Sequence, residues 1–207
     1  MKIHTYTDAS MGENTYIVVE KDKGLIIDPG LDVESMIDKI NELGIKEVTL
    51  FVTHGHFDHI VSLEALAKHY NVPIHVYKDE VVYFYDTLLN ASKLVGNPFT
   101  VDKSIPIVSL EDSLTFNNKS YPIYHTPGHS LGHVVLLMKE INALFTGDLL
   151  FNGSIGRTDL AGCDHQDMIN SLKFIQTFDP KLKIYPGHGP ISTIEDEIKY
   201  NPHLKGL

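Results

Sequence analysis

Seven side chains that can ligate a metal ion stand out in this chain of 207 residues. Four lie in one short segment, residues 53–59 (THGHFDH), and three follow at wider intervals. Five imidazoles and two carboxylates exceed the four positions of a tetrahedral zinc site, but they suit two metals with three terminal ligands each and one bridging carboxylate. The residue types therefore predict a binuclear metal centre. The candidate ligands are His54, His56, Asp58, His59, His129, Asp148 and His188.

Four of these ligands follow a glycine directly, namely Gly55, Gly128, Gly147 and Gly187. A residue without Cβ permits unusual φ values and a close approach of the backbone. We therefore expect sharp turns that aim the ligands at one point. The alternative is that the His-rich loop is solvated and the remaining histidines pack in the core.

The other seven histidines lack this context, and we expect surface or packing roles for them. His133 stays open, because it lies just beyond His129 and can serve as a hydrogen-bond donor to a ligand. The seven are His4, His69, His75, His125, His133, His165 and His203.

Apolar runs and turn signals indicate the elements that must position the ligands. The run 48–52 predicts a buried strand that ends at the ligand segment, and strand ends hold ligands rigidly. Helical spacing predicts a helix from the cap Asp32 to the stop at Gly44, and a second over 60–70 that begins beside Asp58. Further strands are predicted at 15–19, 24–27, 73–77, 105–108, 113–116, 121–125, 133–138, 143–146 and 183–185, with a helical stripe at 168–178.

Two segments carry more specific expectations. Residues 79–94 predict an aromatic-rich amphipathic helix that either packs in the core or faces the substrate. Ser192 and Glu195 fit a capping box that opens the final helix.

The order of these elements predicts the fold class. Hairpins mixed with βα units favour an α/β (α+β) protein with two mixed β-sheets flanked by helices, a four-layer αβ/βα sandwich. A chain of this length with 43% hydrophobic residues can bury a sizeable core. We therefore expect one domain over residues 1–207.

Composition narrows the classes of partner. The formal net charge of −10 disfavours a nucleic-acid or anionic-membrane partner. Neither a signal core nor an apolar stretch of the roughly 20 residues that span a bilayer is visible. We expect a cytoplasmic protein that acts on a small molecule. The lone Cys163 has no positive neighbour to lower its pKa, so we expect an inert loop thiol.

The ligand motifs resemble those of the metallo-β-lactamase superfamily, in the expected order along nearly the whole chain. The matching segments are 53–59 (THGHFDH), 126–129 (TPGH), 146–148 (TGD) and 186–189 (PGHG). The resemblance implies the sandwich fold with two metals at the sheet edges. It assigns His54, His56 and His129 to one metal, Asp58, His59 and His188 to the other, and Asp148 to the bridge. Secreted zinc β-lactamases usually have a cysteine at this bridge position, so antibiotic hydrolysis is not expected.

Within the superfamily, residues 145–151 (FTGDLLF) and 156–159 (GRTD) resemble the glyoxalase II branch, the hydroxyacylglutathione hydrolases. The tail 187–202 is similar to the same branch, but the chain ends about where longer members begin a glutathione-binding helical region. Arg157 and Asp159 stand at the positions where that branch has Lys and Tyr, so only the basic residue is retained. Arg157 is the candidate substrate-binding residue, through a bidentate contact with a carboxylate, and its alternative role is an ion pair with Asp159.

The resemblance implies hydrolysis of an acyl thioester such as a hydroxyacylglutathione. Two divalent metals, zinc or alternatively iron or manganese, would lower the pKa of a shared water, and the metal-bound hydroxide would attack the carbonyl carbon. Asp58 and Asp148 are the candidate catalytic residues, because Asp58 can orient the nucleophile and Asp148 couples the metals. The leaving thiolate needs little acid help, since thiol pKa values are about 8.5.

Two other functions stay open at this point. The related persulfide dioxygenases use one iron and share the segment at 156–159, although they usually carry Ala where Phe57 stands. The other is a metal-stabilised binding scaffold without turnover, and the complete ligand set argues against it. The acyl group, the thiol carrier and the oligomeric state are not determined by the sequence.

Overall fold

The computed structural model describes all 207 residues, and its first half builds a six-stranded mixed sheet. The first three strands in chain order pair antiparallel at one edge. The third to sixth strands pair parallel with their neighbours. In spatial order the strands are β1 (Lys2–Thr7), β2 (Asn14–Glu20), β3 (Lys23–Ile27), β4 (Glu47–Phe51), β5 (Ile74–Tyr77) and β6 (Ile107–Leu110).

The second half builds another six-stranded mixed sheet and a separate two-stranded hairpin. Its strands are β7 (Ser113–Phe116), β8 (Lys119–His125), β9 (Val134–Met138), β10 (Ala143–Gly147), the hairpin β11 (Leu150–Phe151) and β12 (Ser154–Ile155), then β13 (Lys183–Pro186) and β14 (Ser192–Thr193). The sheet order is β14-β13-β10-β9-β8-β7, and β10 runs parallel to β13.

Five α-helices accompany the sheets: α1 (Val33–Glu42), α2 (Phe57–Ile60), α3 (Leu63–Tyr70), α4 (His165–Ile175) and α5 (Ile194–Tyr200). Two 3-10 helices span Lys78–Tyr85 and Lys139–Ile141. The predicted cap of α1 is confirmed, because the Asp32 carboxylate accepts from the Ser35 N–H at 3.0 Å. None of the helices has the length and apolar character needed to cross a membrane.

The alternation of side chains along the strands separates three apolar layers. Leu25 and Ile27 of β3 face Leu136 and Phe145 of the second sheet, whereas the intervening Ile26 packs with the helices. One outer cluster joins the first sheet to α1 and α3, and the other joins the second sheet to α4 and α5. The predicted αβ/βα sandwich is therefore confirmed.

The predicted helix over 79–94 is wrong in its second half. The 3-10 helix ends at Tyr85, because the Asp86 carboxylate accepts from the Leu88 and Leu89 N–H groups and closes a local turn. Ala91 then adopts a left-handed φ of 62°, which an α-helix does not tolerate.

Two further helix starts differ from the prediction. The helix expected over 60–70 is divided into α2 and α3 around Ser62, whose hydroxyl donates to the Leu31 carbonyl. The expected capping box is wrong by one residue: Thr193 accepts from the Asp196 N–H and caps α5. Ser192 is instead a strand residue that pairs with Ile184.

Candidate metal centre

The two sheets deliver the seven candidate ligands to one edge of the sandwich. His54 and His56 follow β4, His129 lies between β8 and β9, and Asp148 and His188 follow the parallel strands β10 and β13. The remaining two, Asp58 and His59, lie on the short α2. The Thr53 carbonyl accepts from the Val134 N–H at 3.0 Å, which joins the sheets beside the cluster.

Three histidines form a deeply buried group that could hold one cation. The ligand atoms of His54, His56 and His129 lie within 4.8 Å of one another, and the three residues are 0%, 3% and 3% exposed. Nδ1 of His56 is 2.8 Å from Nε2 of His129. Three imidazole nitrogens that converge on one point are suited to a divalent transition metal.

A second group lies beside the first and contains a carboxylate. The ligand atoms of Asp58, His59 and His188 also lie within 4.8 Å of one another. Nε2 of His188 is 3.2 Å from Oδ2 of Asp58, and the two side chains are 26% and 12% exposed. This group is therefore closer to solvent than the trihistidine group.

The Asp148 carboxylate lies between the two groups. Its Oδ1 is 3.4 Å from Nε2 of His59, and its Oδ2 is 3.4 Å from Nε2 of His129 and 3.6 Å from Nε2 of His188. One carboxylate thus faces ligand atoms of both groups, which is the position that a bridging ligand requires.

A buried carboxylate outside the predicted ligand set, that of Asp28, orients two of the histidines. Asp28 accepts from the Thr53 N–H and hydroxyl, each at 2.7 Å, and its Oδ2 is 3.2 Å from Nδ1 of His59. Because the Thr53 hydroxyl donates to Asp28, it accepts from Nδ1 of His54 at 3.1 Å. With Nδ1 engaged in this way, both histidines direct Nε2 towards the cluster.

The second half of the chain orients its ligands in the same way. Nδ1 of His129 donates to the Arg157 carbonyl at 2.9 Å and leaves Nε2 free. His133 is buried, and its Nε2 accepts from the Asp148 N–H at 3.1 Å while its Nδ1 lies 3.0 Å from the Thr126 hydroxyl. His133 therefore positions the backbone of Asp148 and is not itself a ligand in either group.

Glu80 is a functional residue that sequence reasoning missed. Its fully buried carboxylate accepts from the Gly55 N–H at 2.7 Å, the Ser130 hydroxyl at 2.9 Å and the Gly132 N–H at 2.7 Å. Burial raises its pKa to about 7, against the effect of the three hydrogen bonds. Glu80 thus ties the turn that carries His56 to the turn that follows His129. The only sequence signal was a charged residue on the apolar face of the segment 79–94.

Glu13 is a second missed carboxylate, and it lies under the other group. It is fully buried, its Oε2 accepts from the Thr15 hydroxyl at 3.2 Å, and its Oε1 is 3.9 Å from Nδ1 of His59. Burial raises its pKa well above the ordinary value, against the effect of the nearby His59. No pattern around it distinguishes it from an ordinary residue at the start of a strand.

The two glycines before His56 and Asp148 serve different purposes. Gly147 has a left-handed φ of 46°, which turns the chain so that the Asp148 side chain faces the cluster. Gly55 is required for space, because a Cβ there would lie 2.5 Å from the Cβ of Tyr83. The predicted association of glycine with close turns is therefore confirmed at these positions.

Several buried polar atoms of the cluster have no hydrogen-bond partner in the protein. Among them are Nε2 of His54, His56 and His59, and Oδ1 of Asp148. An unpaired buried polar group costs about 1–3 kcal/mol, and these nitrogens and this oxygen are ligand types that zinc, iron and manganese accept. The residues present therefore fit divalent cations.

The charges of the cluster also favour cations. Burial and the nearby His129 lower the pKa of His56 to about 3, so this imidazole is neutral at physiological pH. Burial also acts to lower the pKa of His59, but the Asp148 and Asp58 carboxylates outweigh it and raise that pKa well above its usual range. Burial opposes ionisation of Asp148, yet contact with His59 holds its pKa below the ordinary value.

Comparison with known proteins agrees with this geometry. The model of the metallo-beta-lactamase superfamily matches residues 11–188. The chain belongs to this superfamily. The hydroxyacylglutathione hydrolase GloC of Haemophilus influenzae is 31% identical over an alignment of 209 positions that covers 99% of this chain and 98% of that protein.

Two solved structures of the superfamily are similar along nearly their whole length. The BLEG-1 B3 metallo-beta-lactamase has a TM-score of 0.92 and 33% identity, covering 99% of this chain and 100% of that one. The protein TTHA1623, solved in a di-iron-bound form, has a TM-score of 0.86 and 30% identity, covering 96% and 98%. Members of this superfamily are generally metal-dependent enzymes.

Five of the seven candidate ligands lie at the floor of a cavity of about 370 Å³, whereas His54 and His59 are fully buried. The segment 79–94 contributes to both core and cavity, because Tyr83 and Phe84 are buried whereas Ala91 and Leu94 line the cavity. We call the apolar side chains that line it the wall. The wall comprises Met11, Phe57, Ala91, Leu94, Val95, Phe151, Ile155 and Leu160.

Arg157 lines the same cavity and is already paired. Its Nε and Nη2 donate to the two carboxylate oxygens of Asp159, at 2.6 and 2.9 Å. The structure thus contains the ion pair that was the alternative role for Arg157, and its contact with a substrate carboxylate stays a prediction. Cys163 donates through Sγ to the His129 carbonyl at 2.9 Å, and burial raises its pKa, as expected for an unreactive thiol.

Proposed function

We propose that the protein is a hydrolase that uses two divalent cations to cleave an acyl thioester, as glyoxalase II enzymes do. The observation that carries this proposal is the position of Asp148, whose two oxygens face the ligand atoms of both groups at the floor of an apolar cavity. The similarity to GloC along the whole chain supports the thioester as the substrate class.

The proposed ligand assignment follows the two groups. His54, His56 and His129 would hold one cation, Asp58, His59 and His188 the other, and Asp148 would bridge them. Bound divalent cations lower the pKa of water and polarise a carbonyl group. Zinc is the proposed metal, with iron and manganese as alternatives, and the di-iron form of TTHA1623 shows that a related protein binds iron.

The residues of the chain contribute orientation and charge. Asp58 lines the cavity with its side chain 12% exposed, and its carboxylate can accept a hydrogen bond from the attacking water. Although burial opposes ionisation, contact with His59 lowers its pKa, so it is an acceptor at neutral pH. Water adds to the thioester carbon, the C–S bond breaks, and the products are a carboxylate and a thiol.

The leaving group is the reason to favour a thioester over an amide. Apart from the proposed ligands, Arg157 is the only ionisable residue that lines the cavity, and a guanidinium does not give up its proton. A thiolate departs without a proton because its conjugate acid has a pKa of about 8.5. A released amine needs a proton that this cavity does not offer from another side chain.

A second candidate is hydrolysis of a β-lactam, for which the observation is the similarity to BLEG-1. In this chain either reaction would use the same metal centre, so the two candidates are separated by assaying both substrates. The absence of a proton donor in the cavity ranks the lactam below the thioester.

The test is one assay of protein whose metal content has been measured. Acyl thioesters, a cephalosporin and a glutathione persulfide are offered in parallel, with oxygen uptake recorded throughout. We expect thiol release without oxygen consumption and about two metals per chain. Oxygen uptake with the persulfide would favour the mononuclear iron dioxygenase, and inactivity of the fully loaded protein on every substrate would favour the binding scaffold.

A further inference from the structure

The wall of the cavity is apolar even where it is exposed to solvent. Met11, Leu94 and Val95 are 47%, 62% and 51% exposed, and all three line the cavity above the ligands. Single exposed apolar side chains are ordinary on protein surfaces, but a cluster around one opening marks a binding surface. The exposed part of the wall thus favours contact with an apolar group.

A second cavity of about 260 Å³ continues this surface. It shares Met11, Phe57, Asp58 and Val95 with the first, so the two form one trough over the ligands. Its far end reaches Val61 and Phe99 and contains the polar side chains Asp8, Ser10, Asp32 and Asn97. The trough therefore offers space beyond the first cavity, with apolar and polar side chains in its lining.

The charges along the trough are those of carboxylates. Hydrogen bonds from Ser10 and the Met11 N–H lower the pKa of Asp8, and those from Ser35 lower the pKa of Asp32, so both are ionised at neutral pH. No lysine lines either cavity.

Apart from the candidate ligands and the cations that they would hold, Arg157 is the only positively charged residue in the lining, and Asp159 holds it in a bidentate ion pair. The γ-glutamyl and glycyl carboxylates of glutathione would find no free cation here. An anionic thiol is therefore a poor fit to this trough.

Resting on the proposed thioester hydrolysis, we propose that the preferred substrates carry an apolar acyl chain and a thiol without net charge. The trough supplies apolar contact along Leu94 and Val95 for the chain. Ser10 and Asn97 offer hydrogen-bonding groups for amides of an uncharged thiol. The class is thus that of N-acylated aminoethanethiol esters of alkanoic acids, in place of hydroxyacylglutathiones.

The first measurement compares two thiols and a series of acyl chains on the metal-loaded protein. Acetyl, butyryl and hexanoyl esters are prepared on N-acetylcysteamine and on glutathione, together with S-lactoylglutathione. We expect kcat/KM to rise about fourfold for each methylene group buried on the wall. The kcat/KM of N-acetylcysteamine esters should exceed that of glutathione esters of the same acid. Added salt should reduce this difference, because it screens exposed carboxylates.

A pair of matched variants locates the effect. Val95→Asp places a charge in the trough, and Val82→Asp places one at a valine that is 46% exposed but lines neither cavity. We expect Val95→Asp to abolish the dependence of kcat/KM on the length of the acyl chain. Val82→Asp should keep the full dependence.

Binding without turnover provides an independent readout. Thioether analogues of the same series, which cannot be hydrolysed, are titrated calorimetrically, and the negative heat-capacity change should grow with chain length. Faster hydrolysis of glutathione esters with no dependence on chain length would overturn this inference and leave the thioester hydrolase intact. If no ester is hydrolysed, the proposed function fails, and the thioether series still decides whether the trough prefers apolar chains.

Discussion

The floor of the cavity consists mainly of buried polar groups, whereas the wall is apolar and exposes Met11, Leu94 and Val95. The term floor denotes the seven candidate ligands together with Asp28, Glu80 and His133. On the floor, His54 and Glu80 are fully buried, and Glu80 alone accepts three hydrogen bonds. On the wall, Leu94 is 62% exposed and Val95 is 51% exposed.

This difference separates two tasks. A buried polar network holds its members in one arrangement, because any displaced group loses a partner where water cannot replace it. An exposed apolar surface has no such constraint, since it contacts whatever apolar group is present. The floor is therefore suited to chemistry, and the wall is suited to selection of the substrate. Substitutions in the floor should strongly reduce the hydrolysis of every substrate. Substitutions in the wall should have small effects, and only on some substrates.

The largest effect is expected from Asp148→Ala on the floor. Removing a group that merely supports a ligand costs about 10–100-fold in metal affinity or activity, so loss of the bridge should lower kcat by more than about 100-fold and reduce metal content with it. Elemental analysis and kcat are measured on the same sample. Asp38→Ala, at an exposed position on α1, is the control. Full activity with one tightly bound metal would refute the binuclear mechanism.

Glu80→Gln should have the next largest effect, although this residue contacts no substrate. An amide turns an NH₂ group towards donors that the carboxylate accepted, so at least one of them loses its partner. We expect unfolding to become easier by about 1–3 kcal/mol and metal affinity to fall at least about tenfold. Denaturant titration measures the free energy of unfolding, and chelator competition measures the metal affinity. Asp79→Asn is the control. An unchanged metal affinity would show that the turns hold their positions without Glu80.

Acidification should weaken metal binding on the floor by a smaller factor. The pKa of His59 is raised by Asp148 and Asp58, so the metal-free protein keeps this proton until the pH exceeds that raised value. A cation must displace the proton, and affinity should increase about tenfold per pH unit below the raised pKa. The same proton stabilises the metal-free fold, and that contribution is lost as the pH rises through the raised pKa. Chelator competition at several pH values measures the slope, and a flat profile would contradict it.

The smallest effect is expected from Asp159→Asn, beside the wall. The change releases Arg157 from its pair, so kcat/KM for glutathione esters should rise about threefold while N-acetylcysteamine esters stay within about twofold. Stability should not change measurably, because solvent screens this exposed pair. Glu111→Gln is the matched control, since its carboxylate is 68% exposed like that of Asp159 and pairs with Lys78. An equal increase in kcat/KM for the esters of both thiols would show that Arg157 does not act through its charge.

The parts predicted from sequence are those in which neighbouring residues act together. The ligand segment follows a strand because the apolar run before it has strand character, and β4 ends at Phe51 as that run indicated. The cap at Asp32 is also local, since it involves a residue three positions away. The expectation of one domain over residues 1–207 stays a prediction.

The parts that were missed depend on contacts between distant residues. Asp28 and Thr53 are 25 residues apart, as are Gly55 and Glu80. Neither carboxylate lies in a pattern that names its partners, because those partners include backbone N–H groups, which every residue other than proline carries. The helix expected over 79–94 was wrong for a related reason, since apolar spacing there reflects burial of Tyr83 and Phe84 and not a continuous helix.

By itself, the sequence determined the types of ligand, their order along the chain and the class of fold, because these follow from residue chemistry and from hydrophobic periodicity. Only the tertiary structure decided which nitrogen of His59 and of His129 faces the cluster, since their Nδ1 atoms donate hydrogen bonds to Asp28 and to the Arg157 carbonyl. It also decided that the surface above the ligands is apolar and that its one cation is paired. Such features arise where separate segments meet, and no single segment encodes them.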